Sequence, residues 1–335
     1  MIQVTKICCV LMLVLGTFAC SKSQEQLTPE IPAPITTIPI NAKITDFVVQ
    51  AASFASDISL YALGNTSAGS VQLYKSTNGG VSWIKNTTFN QSMNAVYFLN
   101  DGKGLVAGNY FGSTANSGSS WQVLAGLSET VVTITPSKTQ EAFLTKLLFD
   151  NTHGRKYTEI YTFDWATMNF VNSQYITLDG YQKASHSLVN KVVVFAGEGG
   201  KATKATLNSQ NEWAWDYINT PQTNNLQTVA VISEQTYIVA GVSGTFLKTT
   251  NAGTSWTPIS TNITGDFQKM RFIDATTGYA IVNVSGKGGI YKTSDGGTNW
   301  TKLNLVGNDH VIELTASSKG KIMVVGSTGN IYLLN

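Results

Sequence analysis

Apolar positions along this chain fall in short runs, and the runs read as strands. Val131-Val132-Thr133-Ile134, Ala142-Phe143-Leu144-Thr145, Glu159-Ile160-Tyr161-Thr162-Phe163 and Lys191-Val192-Val193-Val194-Phe195 are rich in β-branched and aromatic residues and are bounded by Gly, Asn and Ser. Residues of these types suit a pleated, half-buried surface. Beyond the N-terminus no stretch carries an apolar stripe at helical spacing. The pattern predicts an all-β chain.

One polar pattern punctuates the strands four times. It reads Ser/Thr-x-Asn/Asp-x-Gly-x-Ser/Asn-Trp. The third, fifth and eighth positions are Asn78, Gly80 and Trp83; Asn116, Gly118 and Trp121; Asn251, Gly253 and Trp256; and Asp295, Gly297 and Trp300. Asn or Asp closes a turn by accepting from backbone N–H groups ahead of it. Gly tolerates the positive φ that a Cβ resists. The Trp, large and apolar with one N–H to satisfy, suits a place under the turn. These twelve residues are therefore expected to be structural, each set joining two strands of a hairpin.

Spacing then counts the units. Trp83 and Trp121 lie 38 positions apart, Trp256 and Trp300 lie 44 apart, and Trp121 and Trp256 lie 135 apart, which leaves room for two unmarked units. A period of roughly 40–50 residues built from strands and turns is that of propeller blades. Phe98, Asn100 and Gly104 recur with the same internal spacing as Phe272, Asp274 and Gly278. The expected units are 45–89, 90–126, 127–170, 171–218, 219–260, 261–304 and 305–335. Six or eight are the alternatives that the unmarked middle leaves. The last unit stops short of a fourth strand, and an open ring would leave edges unpaired. Residues 36–41 are expected to supply that strand and close a seven-bladed β-propeller spanning 36–335.

The first residues read as an export signal. Lys6 precedes an apolar stretch too short to cross a bilayer, which ends Gly16-Thr17-Phe18-Ala19-Cys20. This resembles a bacterial lipoprotein signal over 1–19, with lipidation at Cys20 and a Ser-, Gln- and Pro-rich tether over 20–35. Of the 3 cysteines, cleavage before Cys20 leaves one, which the lipid blocks. The domain is then held by its core without disulfides. Ser21 after the cysteine resembles signals for the outer membrane, with either its periplasmic face or the cell surface as the site.

Charge narrows the partners. Net charge is +2 and charged residues are 13% of the chain, with no basic run, so nucleic acid has no electrostatic footprint. His153, His186 and His310 lack metal-ligand spacing, and no cofactor loop is visible. No Ser stands in a nucleophile elbow. Glycoside hydrolysis needs two facing carboxylates, and Asp46, Asp150, Asp266, Asp274 and Asp309 are scattered along the sequence. The reading is a non-enzyme.

The repeated motif resembles the Asp-box, or BNR, repeat. Sialidases of that kind hold their substrate with three arginines, whereas this chain has Arg155 and Arg271 alone. The phrase from Phe272-Ile273-Asp274 through Gly289-Ile290-Tyr291-Lys292-Thr293-Ser294-Asp295-Gly296-Gly297-Thr298-Asn299-Trp300 is similar to a repeat of the Ycf48-like photosystem II assembly factors. That resemblance is strongest over 90–126 and 219–304. It implies a seven-bladed, non-enzymatic propeller that helps to assemble a membrane complex. Photosynthetic members carry an arginine-rich patch that two arginines do not make, so the expectation is a general envelope role.

Binding is expected where inner strands meet the channel mouth. The candidates are Arg271, Lys269, Tyr97, His186 and His310, with Asn94 and Gln227. Arg271 leads them, because its guanidinium suits carboxylate recognition. Tyr97 holds the equivalent place in the second unit. The expected partner is an envelope protein; the alternatives are a glycan of a polysaccharide-uptake system and, behind it, a glycosidase substrate.

Overall fold

A computed structural model describes residues 37–334 except 127–130, 137–140, 177–181, 185, 188, 190 and 211. Of His186 and Ser187 it describes the backbone path. Cys20 and the expected signal and tether lie outside these residues.

The described chain is a seven-bladed propeller of antiparallel sheets. The inner strands are Phe47–Phe54, Met93–Phe98, Val131–Pro136, Gln182–Ala184, Leu226–Val231, Asp266–Phe272 and Val311–Ala316. Each touches the next, and the seventh touches the first, so the ring is closed. Every blade steps outward from its inner strand through antiparallel neighbours. Successive turns therefore alternate between two faces. The Asp-box turns join the third and fourth strands and share a face with the turns between first and second strands. The links that enter each inner strand gather on the opposite, entry face.

Closure occurs close to the expected place but not at it. Ala42–Lys43 is the strand that completes blade seven, antiparallel to Asn330–Leu334. Asn41 assists, its N–H donating to Ile331 O at 2.9 Å and its side chain accepting from Leu333 N at 2.7 Å. Thr37–Ile38 instead runs parallel to Asn304–Leu305, the two forming a separate two-stranded sheet just past the outer strand of blade six. Pro39 separates the two pairings, and it has no N–H to continue either. The N-terminal segment thus bridges two blades.

The unmarked blades differ most from expectation. The outer strand of blade three is Asn169–Ile176, so the boundary between units three and four falls beyond 170. Blade four has a short inner strand. Gln182–Ala184 pairs within its own blade, and then His186–Ser187 pairs in parallel with Leu226–Val231 of blade five. Blade five thereby gains a fifth strand on its channel side. The hairpin turns of these blades lack the Asp-box yet keep its device. Asp164 Oδ1 accepts from Ala166 N at 2.7 Å, and Asn208 Oδ1 accepts from Gln210 N at 3.0 Å and Glu212 N at 2.8 Å.

The core lies between blades rather than within them. Tyr61 of blade one stacks on Phe98 of blade two, with centroids 3.5 Å apart and planes within 5°. Phe246 of blade five packs edge-on to Trp300 of blade six, which is 2% exposed.

Candidate functional site

Each Asp-box turn is built from one repeated set of bonds. In blade two, Thr114 Oγ1 accepts from Gly118 N at 3.0 Å, Asn116 Oδ1 accepts from Ser120 N at 3.0 Å, and Trp121 Nε1 donates to Gly118 O at 3.1 Å. Ser76, Thr249 and Thr293 accept from Gly80, Gly253 and Gly297 in the same way. The glycines sit at φ +88, +79, +87 and +95 in chain order, and the residue before each is left-handed as well. Trp256 is the exception: its Nε1 is buried and bonds no protein atom.

The turns also join neighbouring blades. A Cβ on Gly253 would lie 2.7 Å from Ile218 Cγ2 of blade four, and one on Gly297 would lie 2.6 Å from Phe246 Cζ of blade five. Their carbonyls are met from the preceding blade. Lys204 Nζ donates to Ala252 O at 3.3 Å and Thr87 Oγ1 to Gly118 O at 2.6 Å. Turn geometry and blade packing account for these positions without a ligand.

The channel side is organised by a second repeated feature, one that sequence patterns do not reveal. Six of the seven inner strands shift register at the same place, and the residues passed over are Gln50, Asn94, Val132, Gln227, Gln268 and Ile312. A bulge leaves the extra residue unpaired and re-aims its side chain. Four of these six are amides, and the bulges fall near the entry face. Gln50 is exposed, whereas Asn94, Gln227 and Gln268 are half-buried. Asn94 Oδ1 is buried without a protein partner.

Deeper along the inner strands lies a charged trio. Lys269 Nζ is 2.5 Å from Glu313 Oε2, joining blades six and seven. Glu313 is buried, and its other oxygen accepts from Leu314 N at 2.8 Å. Arg271, two residues beyond Lys269, is half-buried and donates to Met270 O at 2.9 Å. Burial lowers the Arg271 pKa, and the charge of Glu313 opposes that shift. Lys269 and Arg271 thus bring two cationic groups to the inner strand of blade six, where guanidinium and ammonium groups suit carboxylate chemistry. Glu313 is the residue sequence reading missed, because its role is visible only once blades six and seven stand side by side.

The other candidates are placed apart from this trio. Tyr97 pairs across to Leu105 as Arg271 pairs to Tyr279, so the two are equivalent in register. The Tyr97 ring packs between blades two and three, 6.0 Å from Trp165, and burial pushes its phenol up to about 12. His310 precedes the inner strand of blade seven, and its Nδ1 accepts from Gly288 N at 2.8 Å, which ties a link to a hairpin. The side chain of His186 lies outside the described residues. No group of three or more metal-ligating side chains converges among the described residues.

Among the described residues, the carboxylates with clear shifts move down. Backbone N–H groups of Thr277 and Thr276 hold Asp274 at about 2, and Asn299 holds Asp295 at about 2. A hydrogen bond from Lys319 lowers Asp57. A general acid working near neutral pH needs the opposite shift. Among the described Trp and Tyr residues, Tyr217 is the exposed one, so these residues form no exposed aromatic cluster.

With this geometry in view, known proteins are informative. The family model of the photosynthesis system II assembly factor YCF48 matches residues 205–335, from the end of blade four through blade seven. The photosystem II assembly lipoprotein Ycf48 of Synechococcus sp. (strain CC9902) is 27% identical over 123 residues, 36% of this chain and 36% of that protein. The match therefore spans about a third of the curated relative's length. Among solved structures, YCF48 bound to D1 peptide superposes with a TM-score of 0.63 at 17% identity, over 88% of this chain and 96% of that one. YCF48 from Cyanidioschyzon merolae superposes with a TM-score of 0.65 at 14% identity, over 90% and 99%. The chain is similar in sequence to the Ycf48 group over its last blades and shares that group's fold over nearly its whole described length.

Proposed function

We propose that this propeller is a non-enzymatic binding and assembly module for a protein partner, held in the cell envelope by a lipid on Cys20. The likeness of residues 205–335 to an assembly-factor family is the observation that carries the reading. A relative of the same fold is known with a peptide bound. The charged trio adds a physical reason. Lys269, Arg271 and Glu313 belong to the matched blades, and their charged side chains on the inner strands suit the polar and charged groups of a polypeptide. The four bulge amides nearer the entry face offer donors and acceptors that suit a peptide backbone.

Cross-linking in intact cells, followed by purification and mass spectrometry, tests this function. One envelope protein recovered near stoichiometry from the wild type, and lost from Arg271→Ala, supports it. Equal recovery from both removes Arg271 from the site, and recovery of no specific protein overturns the reading. Lipidation is tested separately by fatty-acid labelling of the wild type against Cys20→Ala. Label in both, or in neither, contradicts the anchor.

A further inference from the structure

An open groove, uncharged among its described residues, runs between blades one and two. It consists of two adjoining cavities of about 650 and 610 Å³ that share Thr88, Phe89, Asn90, Gln91 and Asn109. Each volume falls within the range of small-ligand sites, roughly 300–1,000 Å³. Among the described residues, neither cavity is lined by an Asp, Glu, Lys, Arg or His. Its aromatic residues are Phe89, Tyr110 and Trp121, the first buried and the other two half-buried. The Trp121 ring is fixed by its bond to Gly118 O at 3.1 Å and by edge contact with Phe89 at 5.7 Å. Tyr110 lies over Gly112, where a Cβ would come within 3.0 Å of its Cε2. The groove thus has rigid aromatic surfaces in its lining. Asn90, Gln91 and Asn109 are exposed beside them.

We infer that this groove binds a neutral oligosaccharide. Aromatic faces take the apolar C–H face of a pyranose ring. Primary amides donate and accept at once, which matches vicinal hydroxyls. The described lining residues offer an acidic or basic polymer no counter-ion, which favours a neutral one. Two adjoining cavities suit a chain of sugar units rather than a single one. This site shares no residue with the charged trio, so it can serve alongside a protein partner.

The test is calorimetric titration of the full mature chain with cellohexaose, maltohexaose, mannohexaose and xylohexaose. A polygalacturonate oligomer and an uncharged decapeptide are the comparison probes. Binding of at least one neutral hexasaccharide is expected, little changed by salt. The variant Gln91→Ala/Asn109→Ala changes exposed residues and is expected to weaken it about tenfold, a change of about 1.4 kcal/mol, with the melting temperature unchanged. Val123→Asp, which puts a charge at an exposed position in the lining, is expected to weaken it as well. Binding by none of the four sugars overturns the inference. Binding that ignores both variants, or preference for the peptide or the acidic oligomer, overturns it too.

Discussion

Lys269 and Glu313 meet at 2.5 Å across the junction of blades six and seven, 44 positions apart in sequence. They hold the same register position on adjacent inner strands, the first ladder position after the bulge. Glu313 is 6% exposed at its side chain and Lys269 36%. Solvent reaches one end of the pair, so its loss costs less than that of a fully buried pair. Glu313→Gln is expected to destabilise the propeller by about 1–3 kcal/mol, and Lys269→Met in that background to restore most of the loss. Urea unfolding of the two single variants and the double variant checks this. Additive losses would show that the pair is not coupled.

The Asp-box glycines carry two constraints, a left-handed backbone and contact with the preceding blade. Gly69 carries the first alone: its φ is +80, and a Cβ added there would meet nothing within 4 Å. Gly69→Ala is expected to cost about 1–2 kcal/mol from the backbone. Gly253→Ala meets Ile218 as well and is expected to cost about 1–3 kcal/mol more. Denaturation midpoints decide it, and equal costs would remove the inter-blade role.

Those turns were legible because their chemistry is local. Asn, Gly and Trp must stand at fixed offsets to close one hairpin, and three of the four indoles do reach the glycine carbonyl. The equivalence of Tyr97 and Arg271 was legible for the same reason, since both precede a Phe that faces a Gly. Blades three and four were harder. Asp164 and Asn208 close their hairpins without the Gly that marks the others, and although Trp213 keeps the Asp-box offset from Asn208, its Nε1 donates to Glu141 Oε2 rather than to the turn. The shared strand at His186–Ser187 leaves no pattern, because its pairing partner lies on the next blade. Closure was readable in kind, but Pro39 decided which residues pair with which strand. The channel bulges and Glu313 depend on register and on neighbouring blades, which a linear pattern does not contain.

Acid sensitivity follows from Asp295. Its folded pKa of about 2 lies below the ordinary carboxylate value, so the folded state binds that proton later than the unfolded state does. The stabilisation is present above about pH 4 and is lost as pH falls toward 2. Three sister turns use Asn at this position. Asp295→Asn, with Asn299 turned over to accept, is expected to change stability at pH 7 by no more than about 0.5 kcal/mol, as suits an exposed site. Its stability should then fall less steeply with acid. Acid unfolding followed by circular dichroism tests the slope, and an unchanged slope would contradict the assignment.

Ring closure makes a prediction about truncation. A mature chain starting at residue 36 keeps both N-terminal pairings, whereas one starting at residue 44 exposes the edge of Asn330–Leu334. The shorter chain is expected to unfold at lower denaturant and to aggregate, as open strand edges do. Size-exclusion chromatography and urea titration compare the two, and equal behaviour would contradict closure through Ala42–Lys43.

The central claim is that the channel mouth receives a protein partner. A photo-reactive amino acid placed at Gln50, which is exposed on a channel bulge, tests it in intact cells; Val81, 65% exposed, serves as the control position. The account predicts one dominant protein adduct from Gln50, weakened by Arg271→Ala and absent from Val81. No protein adduct from Gln50, or the same adducts from both positions, would contradict it.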